Sequence, residues 1–279
     1  MGVTSFTGDF YKTYNTMDNK LNSEQILCLQ LLGNKPAWIL KTSQYGFNKV
    51  LQEQEGADII LEKAIAILKK QEKLGIITLP FHHPDFPDNL RKIGQDTPPL
   101  IHLLGNTELL SQKAVAIIGA READRKGCGA AYKWGTEYAK NEYVVVSGLA
   151  LGCDAAAHQG CLDAKGRTIA VVATGLDITH PRENKALQNA ILDNDGLLLS
   201  EQIIGVKANP KNLVARNRLQ AALSEEVIVV QCPIQSGTMH TVRFAQKYGK
   251  KIYAVHSNKY DAKSSGNECL LEEGIASPL

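Results

Sequence analysis

Four short stretches of this chain carry side chains and turns suited to binding anions. Gly119-Ala120-Arg121 follows an apolar run. The glycine permits a tight turn, and the arginine offers a planar, permanently charged fork that fits phosphate. Ser147-Gly148 follows a second apolar run and, with Gly152, makes a turn of small residues whose backbone N–H groups are expected to be free for a phosphate. Lys207, Lys211, Arg216, Asn217 and Arg218 fall in a stretch from Gln202 to Ser224 with no acidic residue in 23 positions. Arg216-Asn217-Arg218 reads as the opening of an apolar helix with Leu219, Ala222 and Leu223. A helix N-terminus is already positive, so further cations there make sense where an anion is bound. Ser236-Gly237-Thr238 completes the set with two hydroxyls and a glycine ahead of another helical pattern.

The same segments lack the signatures of several enzyme classes. Glycines after the first run sit at 119, 127 and 129 rather than in G-x-G-x-x-G, which disfavours a dinucleotide, and no P-loop sequence occurs. Ser147 lacks the G-x-S-x-G elbow of a nucleophile. Asp154 and His158, one turn apart, read as a helix cap and a hydrogen-bonding histidine rather than as catalytic groups. None of the six cysteines forms C-x-x-C, and of the seven histidines only His82 and His83 are adjacent. Reduced core thiols are expected, with no metal site, no cofactor and no catalytic residue.

Elements of an alternating kind must hold these stretches. Apolar runs at 114–118, 143–147, 168–173, 197–199, 226–230 and 251–255 have helical patterns between most of them. That alternation predicts an α/β fold: an extended Rossmann-like, doubly wound, mostly parallel sheet covered on both faces. Such sheets bind ligands beyond the carboxyl ends of their strands. In the common doubly wound order the strands at 114–118 and 197–199 are neighbours at the switch point. Arg121, Arg216 and Arg218 are therefore expected to share one phosphate path.

Upstream, Ile26, Leu27, Leu29, Leu31 and Leu32 after Ser23, and Ile59, Ile60, Ala64, Ile67 and Leu68, predict a small helical module over 21–78. Residues 1–20 are polar and aromatic without periodicity and read as a flexible arm. Pro80, Pro84, Pro87, Pro98 and Pro99 are half of the ten prolines and make 79–110 a lead-in that excludes a central strand. The Rossmann-like domain is then 111–279.

Composition is that of a soluble globular protein, with 44% apolar and 22% charged residues and a net charge of +2, which neither demands nor excludes nucleic acid. The apolar runs are far short of the roughly 18–20 residues of a membrane span. No secretory signal pattern opens the chain, and a cytoplasmic location is expected.

Taken together, these motifs resemble the DprA/Smf family of DNA-processing proteins. The resemblance rests on Ile118-Gly119-Ala120-Arg121, on Ser147-Gly148-Leu149-Ala150 with Gly152, Asp154, Ala157 and His158, and on Thr174-Gly175-Leu176-Asp177 with Pro181, Glu183 and Asn184. It continues in Ser200-Glu201, Arg216-Asn217-Arg218, Ser236-Gly237-Thr238, and the ending from Gly266-Asn267 to Ala276. Pro84, Phe86, Pro87 and Leu90, followed by Pro98-Pro99-Leu100, are similar to that family's entry into its Rossmann-like domain. The helical segment before them resembles the family's SAM-like or helix-hairpin-helix module. The resemblance implies a non-enzymatic, homodimeric protein that binds single-stranded DNA and helps load RecA recombinase onto it, with roles in DNA uptake and processing. It places DNA at Arg121, the Ser147-Gly148 turn, Lys211, Arg216, Arg218 and Ser236-Gly237-Thr238. Two features depart from the family. Leu213 and Val214 stand where Phe-Pro is frequent, which removes or displaces a base-stacking aromatic, and the winged-helix domain many members carry is expected to be absent.

Two other readings share this type of sheet. One is a nucleotide phosphoribohydrolase of the Lonely-guy type, which needs a glutamate two residues after the loop threonine; Thr238 is followed by Met239, His240 and Thr241. The other is a nucleotide- or DNA-sensing defence protein using the same pocket.

Overall fold

The structure, a computed structural model, describes residues 20–43, 56–256 and 261–279. All but the last residue of the arm read at 1–20 lies outside them. Strands in chain order are β1 (Ile77–Pro80), β2 (Leu100–Gly105), β3 (Ala114–Ile118), β4 (Val144–Ser147), β5 (Thr168–Val172), β6 (Leu197–Ser200), β7 (Glu226–Val229), β8 (Lys251–Ala254) and β9 (Ser277–Pro278). They form one sheet in the order β1-β2-β6-β5-β4-β3-β7-β8-β9. All pairings from β6 to β9 are parallel, and the six apolar runs of the sequence are β3 to β8. Every residue of β3, β4, β5 and β6 is buried, as a parallel sheet with both faces covered requires.

The helices are α1 (Ser23–Leu31), α2 (Pro36–Thr42), α3 (Ala57–Lys73), α4 (Asp88–Arg91), α5 (Arg125–Lys140), α6 (Cys153–Asp163), α7 (Lys185–Asp193), α8 (Pro210–Leu223), α9 (Thr238–Lys247) and α10 (Ser265–Glu272). From β3 the chain steps outward to β4, β5 and β6, then returns through α8 to β7 on the other side of β3. The switch point therefore lies between β3 and β7. This corrects the expected adjacency of the strands at 114–118 and 197–199, because β4 and β5 stand between them.

The proline-rich segment also differs from its reading as a lead-in. It contributes β2, which pairs antiparallel with β6, and the tail of β1. Its prolines sit where a sheet tolerates them: Pro98 and Pro99 precede β2, and Pro80 ends the edge strand β1. Phe86, Leu90 and Ile93 pack in one core with Ile101, Leu103, Leu197, Leu199 and Leu219.

The helical module sits directly on this sheet. Asn22 and Gln25 cap α1 reciprocally, and Ile26, Leu27 and Leu29 share a core with Leu100 of β2. Buried Gln71 of α3 locks the joint. Its Oε1 accepts from Ile204 N–H at 3.1 Å, and its Nε2 donates to Thr78 Oγ1 and His102 Nδ1 at 3.0 Å each.

Candidate nucleic-acid interface

The crevice at the switch point is bounded by the turn after β3 and the turn after β7. Ala120 N–H donates to Gln231 O at 2.7 Å and Asp124 N–H to Gln231 Oε1 at 3.0 Å, so buried Gln231 laces the two turns together. Gly119 is packed so closely on α6 that a Cβ there would overlap the Cys153 side chain. Arg121 leaves this laced pair exposed, and no hydrogen bond or ion pair among the described residues holds its guanidinium. Across the crevice, Ser236 N–H donates to Pro233 O at 3.0 Å, and α9 starts with no side-chain cap. The N–H groups of Gly237 and Thr238 have no acceptor among the described residues, which leaves the positive end of α9 open to an anion. Asn217 Nδ2 donates to Gly237 O at 3.3 Å and ties α8 to this turn.

The Ser147-Gly148 turn is built differently from the expectation. Ser147 Oγ donates to Ile117 O at 2.7 Å, and the N–H groups of Gly148 and Ala150 both donate to Asp154 Oδ2, at 3.1 and 3.4 Å. An internal carboxylate thus fills the cradle that was expected to be free. Asp154 serves the loop before α6 rather than capping the helix, whose N-cap is Gly152. Position 148 has to be glycine, since a Cβ would lie 2.6 Å from Asp154 Oδ2 and against the Arg216 guanidinium.

Arg216 is only 6% exposed; its Nη1 donates to Gly148 O at 2.7 Å and also to Val171 O. Burial pulls its pKa down to about 10 against the pull of the Asp154 carboxylate, and burial pushes that carboxyl up against the pull of Arg216. The two are buried counter-ions beneath the turn. His158 lies in the same buried layer. Thr168 Oγ1 donates to Val145 O at 2.5 Å and meets His158 Nδ1 at 2.7 Å, so Nδ1 carries the imidazole proton. Burial, with Arg216 adding to it, lowers the pKa of His158 to about 3.

Arg218 is likewise committed inside. Both terminal nitrogens reach Glu201 at 2.5 Å, and Nε donates to Asp96 O at 2.8 Å. The Asp96 carboxylate in turn accepts from Lys247 Nζ at 2.6 Å and Tyr248 OH at 2.7 Å. The expected place of both arginines is corrected: they are mid-helix and buried below the edge. The helix opens earlier, at Pro210, where Asn209 accepts from Asn212 N–H at 2.9 Å.

Lys207 and Lys211 remain exposed. Gly175 N–H donates to Val206 O at 2.9 Å, and Gly205 N–H donates to the Asp177 carboxylate at 2.9 and 3.0 Å, so the Gly205-Lys207 segment rides over the end of β5. At about 4.8 Å per strand, the ends of β5 and β6 lie roughly 10–14 Å from that of β3. The structure thus brings Gly119, Arg121, Asn217, Ser236, Gly237 and Thr238 to the switch point. Lys207 and Lys211 lie farther along the same edge, and Ser147, Gly148, Arg216 and Arg218 underneath it. Exposed Leu151, Val214 and Ile234 add aliphatic surface in the edge loops and on α8. Sequence reasoning assigned no role to Gln231 and Leu151, although both lie in turns that follow a strand, where such sheets place their ligands.

Among the described residues no group of three or more His, Cys, Asp or Glu could hold a metal ion, and no helix is long and apolar enough to cross a membrane.

Residues 77–279 match the family model described as DNA recombination-mediator protein A. This chain belongs to that family. Among its relatives is the DNA processing protein DprA of Streptococcus pneumoniae, 39% identical over 189 residues, covering 68% of this chain and 66% of that one. Protein Smf of Synechocystis is 34% identical over 200 residues, 70% of this chain and 50% of that one. The chain therefore spans between half and two thirds of the length of these relatives. The fold of the family extends through the helical module. An X-ray structure of DprA from Streptococcus pneumoniae superposes with a TM-score of 0.81 at 31% identity, covering 93% of this chain and 95% of that one. A structure of DNA processing protein A from Helicobacter pylori, described by its single-stranded DNA binding mode, has a TM-score of 0.65 at 34% identity and covers 73% of this chain and 90% of that one.

Proposed function

We propose that this protein binds single-stranded DNA along the carboxyl edge of its sheet and acts as a recombination mediator, with RecA recombinase as its protein partner and a homodimer as its working state in the cytoplasm. The observation that carries the reading is the pairing of Arg121, whose guanidinium has no partner among the described residues, with the uncapped Gly237-Thr238 turn at the switch point. An exposed guanidinium and two open N–H groups are ligands for a backbone phosphate, which fixes register without reading sequence. Leu151 and Val214 present aliphatic surface for bases, with Val214 in the Leu213-Val214 pair that stands where Phe-Pro is frequent in the family. Membership of the family and the single-stranded DNA binding mode described for the Helicobacter pylori relative support the same ligand.

The site residues proposed for phosphate contact are Arg121, Lys207, Lys211, Gly237 and Thr238. Arg216 and Arg218 shape the edge from below. No catalytic role is assigned: His158 and Asp154, in the layer beneath the edge, are buried and committed to internal partners.

Titrating labelled oligo-dT, a duplex of equal length and nucleoside monophosphates at two salt concentrations tests the reading. Tight, salt-sensitive binding of oligo-dT over the other two is expected. Equal affinity for duplex removes single-strand selectivity, and preference for a monophosphate moves the protein to the nucleotide-binding readings.

A further inference from the structure

The loop between β5 and α7, residues 173–184, is not part of the switch-point crevice, yet it is built onto the same edge. Asn184 Nδ2 donates to Leu149 O at 2.8 Å, which fastens the end of the loop to the turn after β4. Gly175 N–H and the Asp177 carboxylate fasten its start to the Gly205-Lys207 segment. Between these two anchors the loop exposes His180 and Arg182, and Lys185 follows exposed at the first position of α7. Neither the Arg182 guanidinium nor the Lys185 ammonium makes a hydrogen bond or ion pair with any described residue. Of the two acids in the loop, Asp177 is occupied with Gly205 N–H, which leaves Glu183 alone against Arg182, Lys185 and the neighbouring Lys207.

We propose that Arg182 and Lys185, beside Lys207, form a second phosphate station for single-stranded DNA, so that one strand runs across the sheet edge from the switch point to the ends of β5 and β6. The proposal rests on the reading of this edge as the DNA interface and extends its footprint. The occupant follows from charge and distance. The end of β5, from which this loop springs, lies two strands, about 10 Å, from the end of β3, a span of about three nucleotides at the 3.4 Å rise of a duplex strand and fewer when the strand is extended. A mononucleotide cannot reach both stations, and a polyanion can. Leu151, 41% exposed in the turn between them, gives the intervening bases an aliphatic surface.

The test compares labelled dT oligomers of about 4 and about 12 nucleotides on the full chain, across a salt series. The variants are Arg182→Ala with Lys185→Ala, and the charge reversal Arg182→Glu with Lys185→Glu. Both side chains are exposed and unpartnered, so melting should match the wild type. With the longer oligomer the alanine pair should bind about tenfold more weakly, and its log–log salt slope should flatten by about 1.4, near 0.7 for each lost phosphate contact on a single strand. The charge reversal should weaken binding further. With the shorter oligomer, which the switch point can hold alone, the loss should be small, whereas Arg121→Ala should weaken both lengths. Glu183→Gln should tighten the longer oligomer. Wild-type affinity and slope for the charge-reversed protein on the longer oligomer would overturn the second station while leaving the switch-point reading intact. Failure of the wild type to bind either oligomer would overturn both.

Discussion

Arg216→Met removes the buried cation while keeping an unbranched apolar stem. In the wild type that guanidinium donates to Gly148 O and Val171 O, and its charge favours the ionised form of the buried Asp154 carboxyl without a direct ion pair. Removing one member of a buried pair typically costs about 3–5 kcal/mol, because the other charge is left uncompensated. For a chain of this size each kcal/mol lowers the melting temperature by about 2–4 °C, so a fall of about 6–20 °C is expected. Asp154 has an escape: burial already raises its pKa, and the variant raises it further, so the carboxyl can take up a proton. The deficit relative to the wild type should therefore be smaller at pH 5 than at pH 8, although both proteins lose stability in acid through their buried histidines. Circular dichroism melts and urea titrations at the two pH values read this directly, and oligo-dT anisotropy per folded molecule should change far less than stability. Adding Asp154→Asn should recover about 0.5–3 kcal/mol, the range of coupling between contacting groups. A variant that melts within about a degree of the wild type but no longer binds oligo-dT would refute the argument. Arg216 would then be a phosphate ligand, as its place in the sequence first suggested.

Arg121→Ala should leave melting unchanged and flatten the salt slope of oligo-dT binding by about 0.7, read from affinities over a salt series. Gly148→Ala should destabilise by about 1–3 kcal/mol in urea titrations, since the new Cβ meets the Arg216–Asp154 pair and neither can withdraw without losing the other. His102 and His158 are fully buried with pKa values lowered to about 4 and about 3, His102 by burial alone. Unfolded histidine binds a proton near pH 6.5, so stability is full above that pH and falls as pH drops through the window toward 4, on the order of 3 kcal/mol for each histidine. His158→Asn should lower stability at pH 7 yet make this acid loss shallower, which melts from pH 7 to pH 4.5 would show.

Strand positions and the α/β class were legible because β3 to β6 are buried on both faces and β7 and β8 nearly so, and burial leaves an apolar signature. Strand order was not legible, since no residue in β3 states which neighbour it takes; β7 pairs with β3 from more than a hundred positions away. At the site, residue types were read correctly as anion-seeking, but an arginine can satisfy an internal carboxylate as well as a phosphate. Arg218 took the Glu201 carboxylate and Arg216 the carbonyls of Gly148 and Val171, partners that come within reach only after folding. The start of α8 could have been placed from Asn209-Pro210, a cap followed by proline at the first helical position. β2 escaped because His102 interrupts its apolar run, and only Gln71 and Thr78, from α3 and β1, make that histidine acceptable in the interior.

The antiparallel seam between β2 and β6 bears on how this protein can be cut. A fragment starting at residue 111 would strip β6 of its partner and lay bare a row of unpaired amide and carbonyl groups beside Leu197, Leu198 and Leu199. Such a naked apolar edge is a template for adding another chain, so the fragment should self-associate by strand exchange. A fragment starting just before Ile77 keeps that seam closed but loses Gln71, the acceptor for Ile204 N–H, and uncovers Leu100. The natural seam for dissection therefore lies ahead of α1, and the helices at the N-terminus belong to the solubility of the sheet as much as to any partner they meet.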